Sequence, residues 1–246
     1  MSFNTLTPAA VSSEARPWAG SVWRMVEAQH TASTMKIVDN DEEQDLLETL
    51  LEGSKPAQPA SALALDYLLA TPFRYYPLRG GSRFRAITDP GVFYGAESVH
   101  TASAGLGFWR WTFLKDAVDL EKLEPVAHTA FSVDVSTQVV DLRQPPFNAN
   151  ASMWLHPTDY TATQSFAKVA REANVGGIQY QSVRDRNPGW CVALLTPQAF
   201  ASPKPNPLMQ TWWLAVHQDT VTWRRDNESM TFSPAHGYDQ NLCISA

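Results

Sequence analysis

Apolar and polar positions recur along this chain with two different periods, and the change of period marks out its elements. From Pro17 to Val26 small or apolar side chains alternate around Trp18, Val22 and Trp23, as in a strand or its approach. Asp39 to Gly53 changes to helical spacing. Leu46, Leu47, Leu50 and Leu51 form one stripe, acids fill the first turn, Asp39 or Asn40 can cap it, and Gly53 ends it. Ser61 to Ala70 predicts a second helix with Leu63, Leu65, Tyr67, Leu68 and Leu69 largely buried. Val126 to Leu142 alternates, with Phe131, Val133 and Val135 on one face and a break at Thr137-Gln138, which predicts a hairpin of 126–135 and 138–142. Tyr160 to Ala173 predicts a helix with Phe166, Val169 and Ala170 inward, closed by Asn174 and Gly176-Gly177. Gly177 to Arg184 alternates as a strand, with Tyr180, Ser182 and Arg184 on one face. Asn187-Pro188-Gly189 turns, and Trp190 to Leu195 returns as a buried strand. Thr211–Val216 and Thr220–Arg225 pair about His217-Gln218-Asp219. Residues 1 to about 17 are polar and loop-like, and 226–246 are weakly patterned.

The stretch from Arg79 to Trp111 breaks both periods and carries the most chemistry. It predicts a Gly-rich basic loop (Arg79-Gly80-Gly81-Ser82-Arg83-Phe84-Arg85), a short strand, a turn at Asp89-Pro90-Gly91, a second strand through Tyr94, and a helix capped by Ser98. Gly80 and Gly81 let the backbone approach another group closely. Arg83 offers a fixed fork of donors suited to phosphate or carboxylate. With Arg74, Arg79 and Arg85 it makes four arginines in twelve residues. Such a cluster needs anions, and carboxylates of the same chain or a pyrophosphate both satisfy it. In an extended segment Arg83 and Arg85 share a face. A hairpin with solvated arginines accounts for the same pattern.

Composition narrows the classes. With 246 residues, 44% hydrophobic and 18% charged, the chain is long enough for a sizeable core and reads as one domain over 1–246. A net charge of −6 gives no general attraction to nucleic acid or to a membrane surface. Only Cys191 and Cys243 are present, with no CxxC, so neither a disulfide framework nor a structural zinc site is expected, and Cys191 reads as a core thiol. No apolar run approaches a membrane span and the polar start lacks a basic leader, so a cytoplasmic protein is expected. P-loop, HExxH, GxSxG and Gly-rich Rossmann signatures are absent.

The 79–111 and 177–196 segments resemble the RES domain family. There a Gly-Gly-Arg-like loop leads to an apolar strand ending in Tyr and then to a Thr-Ala-rich helix. Arg83 matches the loop arginine and Tyr94 the strand tyrosine. Thr101-Ala102-Ser103-Ala104 and Leu106-Gly107-Phe108-Trp109-Arg110 match the helix, and Gly177-Ile178-Gln179-Tyr180-Gln181-Ser182-Val183-Arg184 matches the serine strand. Trp23-Arg24 resembles the short strand that opens the family, which makes Arg24 the candidate first arginine. The resemblance covers about residues 20–200, and helices over 38–70 read as an elaboration that covers one side of the core or forms a subunit contact.

The resemblance implies an α+β fold like the ADP-ribosyltransferases, with mixed β-sheets around an NAD cleft and flanking helices. It implies a toxin of a bacterial toxin–antitoxin pair that degrades NAD with phosphate as acceptor, without a metal. The alternatives are a protein ADP-ribosyltransferase and a non-catalytic nucleotide- or partner-binding module. The implied partner is an antitoxin with an Xre-type helix-turn-helix domain, and a homo-oligomer stays open. Arg24 and Arg83 are the expected phosphate ligands, Tyr94 shapes the ring pocket, Ser182 bonds a ribose or the amide, and Arg184 lies beside it. The family glutamate falls eleven residues after Tyr94, where this chain has Gly105. Three explanations stay open: a substitution that disarms a harmful enzyme, a member turned to binding or regulation, and a substitute acid, Glu97 being nearest.

Overall fold

A computed structural model describes residues 6–28, 38–76, 80–187 and 189–233. The strands form one mixed sheet whose two long members hold it together. β1 (Arg16–Glu27) and β3 (Lys122–Asp141) pair antiparallel along the whole of β1, from Arg16 opposite Val139 to Glu27 opposite His128. The sequence predicts two strands where β3 is one. Thr137 and Gln138 lie opposite Trp18 and Pro17, and neither supplies the positive φ that a tight hairpin needs.

Beyond β3 the sheet runs in two directions. On one side β4 (Gly177–Gln181) lies parallel to the end of β3, β5 (Trp190–Leu194) lies antiparallel to β4, and β2 (Phe93–Ala96) lies antiparallel to β5. On the other side β6 (Gln210–His217), β7 (Val221–Arg225) and β8 (Glu228–Phe232) continue as a meander. The β6–β7 hairpin is as the sequence predicts. β8 is not, because its exposed alternate positions blur the pattern. β2 returns to β1 at a single register pair, Trp23 opposite Ala96, so β1-β2-β5-β4-β3 closes into a ring with one loose seam. The site lies at that seam.

Among the described residues six helices flank the sheet. α1 (Pro8–Glu14) falls where the sequence predicts a loop, with the Thr7 hydroxyl accepting from the Ala10 amide and Pro8 at its first position. α2 (Asp41–Ser54) is capped by Asn40, as predicted, but buries no residue. Its Leu46 and Leu50 are 59% and 61% exposed, so it does not cover the core. The next helix starts later than predicted. A 3-10 turn occupies Ala60–Ala62, and α3 (Tyr67–Arg74) begins where the Asp66 carboxylate accepts from the Leu68 amide. Leu63 and Tyr67 are consequently exposed, while Leu69 is buried.

α4 (Val99–Asp116) starts at Ser98, whose hydroxyl accepts from the Thr101 amide. α5 (Ala151–Trp154) is one turn, and α6 (Thr161–Glu172) ends before Asn174, one of the residues expected to close it, which stands at φ 55°. Trp154, Phe147 and Phe166 pack edge to face, with centroids 5.3 to 5.4 Å apart, beneath β4. That packing anchors the segment from which α6 rises toward the seam.

Candidate functional site

The residues flanking the β1–β2 seam line a cleft of about 250 Å³. All six candidates from the sequence, Arg24, Arg83, Tyr94, Gly105, Ser182 and Arg184, are on its wall. They come from β1, the loop before β2, β2 itself, α4 and the end of β4, so folding brings together residues up to 160 positions apart.

Arg24 bridges the seam. Where the ladder between β1 and β2 gives out, its Nη1 donates to the Tyr94 carbonyl at 3.0 Å and its guanidinium lies 4.8 Å from the Phe93 ring centroid. Its Nε is closed off from solvent and has no hydrogen-bond partner. Burial pushes the guanidinium down to about 10, against a weaker raising influence of Tyr94, and it remains charged at neutral pH.

Arg83 projects from a tight turn. Ser82 and Arg85 exchange backbone hydrogen bonds of 2.7 and 3.0 Å, so this segment is not the extended strand the sequence predicts. Arg83 and Arg85 therefore part. Arg83 donates to the Trp154 carbonyl at 2.8 Å and lies over the Tyr160 ring at 4.7 Å, in the cleft. Arg85 turns away to the Tyr75 and Asp89 carbonyls. Arg74 pairs with Glu52 at 2.6 Å, and Arg79 lies outside the described residues. Gly81 sits at φ 80°, and a Cβ there would fall 2.0 Å from the Arg85 carbonyl, so the predicted close approach is to the chain's own turn. Gln164, which motif reading passes over, and Tyr94 together hold that turn. Gln164 Nε2 donates to the carbonyls of Gly80, Ser82 and Arg85. The Tyr94 hydroxyl bonds Ser82 Oγ at 2.7 Å and accepts from the Phe84 amide at 3.0 Å. Tyr94 thus sets Arg83 as well as forming wall, and burial holds its phenol above the usual range.

Ser182 ends β4, where its hydroxyl accepts from the amides of Arg184 and Asp185 at 3.3 and 3.2 Å. This turn carries Arg184 back into the cleft, stacked 3.7 Å from the Phe108 ring centroid and bonded to the Pro157 carbonyl. The Cys191 thiol, expected in the core, lines the cleft beside Ser182 and Tyr180, and burial pushes it up to about 12. It is a neutral wall group, not a nucleophile.

Gly105 faces the cleft from the second turn of α4. A Cβ built on it meets nothing within 4 Å, and its φ is ordinary. Neither crowding nor backbone strain calls for glycine there, and a longer side chain would have the cleft to enter. Glu97 is the nearest acid in sequence. It is off the wall, and its Oε1 accepts from the Trp190 amide at 3.0 Å. Asp185, unremarked in the sequence, is the other nearby acid. Its side chain is 1% exposed, and it accepts from Thr101 Oγ1 at 2.8 Å and from the Asn187 amide at 3.0 Å beside His100. It ties the Ser182 turn to the first turn of α4 from behind the wall. Among the described residues the wall carries three guanidiniums and no carboxylate, with Trp23, Trp109, Tyr160 and Tyr180 as flat surfaces. It can hold an anion bearing aromatic rings. The described residues contain no cluster of three His, Cys, Asp or Glu side chains placed to bind a metal ion, and none of their helices is long and apolar enough to cross a membrane.

A family model, the RES domain, matches residues 58–217. The match takes in every candidate except Arg24, which the β1–β3 pairing delivers to the cleft from outside it. Comparison with curated proteins gives no match. Among solved structures, the M. tuberculosis MbcT–MbcA toxin–antitoxin complex is similar, with a TM-score of 0.47 and 12% identity over 96% of this chain and 97% of that one.

Proposed function

The chain belongs to the RES domain family, and on that premise we propose that its cleft is an NAD site of a bacterial toxin–antitoxin toxin whose chemical step is disarmed at Gly105. The observation that carries this reading is the convergence of Arg24, Arg83, Tyr94, Gly105, Ser182 and Arg184 on one wall.

The proposed reaction is cleavage of the nicotinamide–ribose bond. The bonding pair leaves with nicotinamide, C1′ of the ribose becomes positively charged, and a phosphate oxygen adds to that carbon. The products are nicotinamide and ADP-ribose 1″-phosphate. Arg24 and Arg83, both on the cleft wall, hold the pyrophosphate. The tyrosines and tryptophans clasp the rings. Ser182 sits within reach of ribose, its lone pairs accepting from two amides and its hydroxyl bonded to the Cys191 thiol, which a ribose oxygen would replace as acceptor. The charge at C1′ needs a carboxylate opposite it. Gly105 is the family position for that acid, and neither Glu97 nor Asp185 presents one to the cleft. Loss of one such preorganised contact lowers turnover roughly 10²–10³-fold. The same cleft without its acid also fits a nucleotide-binding member that has given up catalysis. Protein as acceptor is the remaining alternative. The partner that goes with the proposed role is a cytoplasmic antitoxin of the helix-turn-helix type.

Thermal melting with NAD tests the site itself. A millimolar addition should raise the melting temperature of this chain and leave that of Arg83→Met unmoved. An equal rise in both would remove Arg83 from the site, and no rise in either would remove NAD.

A further inference from the structure

Charge, more than shape, sets this cleft apart. Its only ionised wall groups among the described residues are arginines. Arg24 and Arg83 have no carboxylate within ion-pair distance there, and their bonds go to the carbonyls of Tyr94 and Trp154. Arg24 keeps a buried Nε with no partner. The two acids behind the wall are engaged, Asp185 by Thr101 and the Asn187 amide, and Glu97 by the Trp190 amide. On the same wall, Gly105 leaves open space where a Cβ would touch nothing within 4 Å.

A cationic ring entering such a cleft meets guanidiniums and no counter-charge, whereas a pyrophosphate meets what it needs. Resting on the NAD-site reading, we propose that this chain, with Gly105, selects ADP-ribose and other adenine dinucleotide-type anions that lack a cationic ring over NAD itself. ADP-ribose and NAD share the adenosine, the pyrophosphate and the second ribose. They differ by the pyridinium, which Arg24 and Arg83 disfavour. The chain then acts on the product side of NAD cleavage, as a holder of the ADP-ribose class.

Calorimetric titration of the whole chain tests this with three probes: ADP-ribose, NADH, and a carbocyclic NAD that keeps the pyridinium but cannot be cleaved. NADH carries the ring without its charge and separates charge from ring contact. ADP-ribose and NADH should both bind roughly tenfold or more tighter than carbocyclic NAD, the order expected for one unit charge brought near a guanidinium at a partly solvated site. Gly105→Glu should narrow that ratio about tenfold, and Gly105→Gln, of equal size and no charge, should leave it. Carbocyclic NAD binding as tightly as ADP-ribose overturns the proposal while leaving the NAD-site reading intact. NADH binding as weakly as carbocyclic NAD also overturns it, since the preference would then come from ring size. If no probe binds, the NAD-site reading fails as well. The comparison within the unaltered chain decides even if a variant does not fold.

Discussion

Replacing Arg24 by Met should make the protein more stable while emptying its cleft of function. The guanidinium is held down to about 10 from an ordinary 12.5, chiefly by burial. At about 1.4 kcal/mol per pH unit this is ~3 kcal/mol of unfavourable burial at neutral pH. Against it stand the 3.0 Å bond to the Tyr94 carbonyl, about 1 kcal/mol, and the Phe93 contact at 4.8 Å, about 0.5–1 kcal/mol. Met keeps most of the stem's packing. The balance is a gain of about 1 kcal/mol, or ~2–4 °C in melting temperature for a chain of this size. The sign with pH follows from the lowered value. Below pH 10 both folded and unfolded forms carry the proton and the cost is full. As pH rises through about 10 the folded form loses its proton first and the cost fades, so the advantage of Met should be flat near neutrality and shrink above pH 10. Ligand-free thermal and urea melts at pH 7 and above pH 10, with an NAD-induced shift measured alongside, check all three parts. A drop of more than ~4 °C at pH 7 would refute the reasoning, because Arg24 would then be a brace that the β1–β2 seam cannot do without.

Other outcomes follow from the same geometry. Gly105→Ala should stabilise by about 1 kcal/mol in urea melts, since its Cβ meets nothing within 4 Å in mid-helix; destabilisation would mean that α4 needs glycine there. Gly81→Ala places a Cβ 2.0 Å from the Arg85 carbonyl at φ 80°. It should unseat the Ser82–Arg85 turn and abolish the NAD-induced melting shift, and an unchanged shift would show that Arg83 does not depend on the turn. Asp185→Ala leaves the Thr101 hydroxyl and the Asn187 amide without their acceptor. It should cost ~1–3 kcal/mol in a urea melt, and a loss below that range would mean the loop re-forms without it.

How much of this was legible in the sequence depended on how local the cause was. Caps were legible because one side chain and one amide decide them, as Asn40, Ser98 and Asn174 show. The six cleft residues were legible only through motif resemblance, because nothing local in Arg24 says that it will meet Ser182. The hairpin that the sequence predicts over 126–142 is one strand because continuity at Thr137-Gln138 comes from β1, more than a hundred residues earlier. The stripe on α2 suits a cover for one side of the core or a subunit contact, and apolar spacing says only that a face exists, not what covers it. Arg83 and Arg85 were placed together on the assumption of an extended backbone, which the turn between Ser82 and Arg85 does not allow. Gln164 and Asp185 left no signal, because an amide or acid that supports a loop looks like any surface residue until the loop lies against it.

Nicotinamide release from NAD in phosphate buffer, by this chain, Gly105→Glu and Gly105→Gln side by side, tests the central claim most directly. Little or no release is expected from the chain as it stands and from the glutamine variant. Release by the glutamate variant should be roughly 10²–10³-fold faster and should be lost again with Arg83→Met. Equal release by all three would show that another group carries the charge at C1′, and a silent glutamate variant that still binds NAD would contradict the assignment of Gly105 as the disarmed catalytic position.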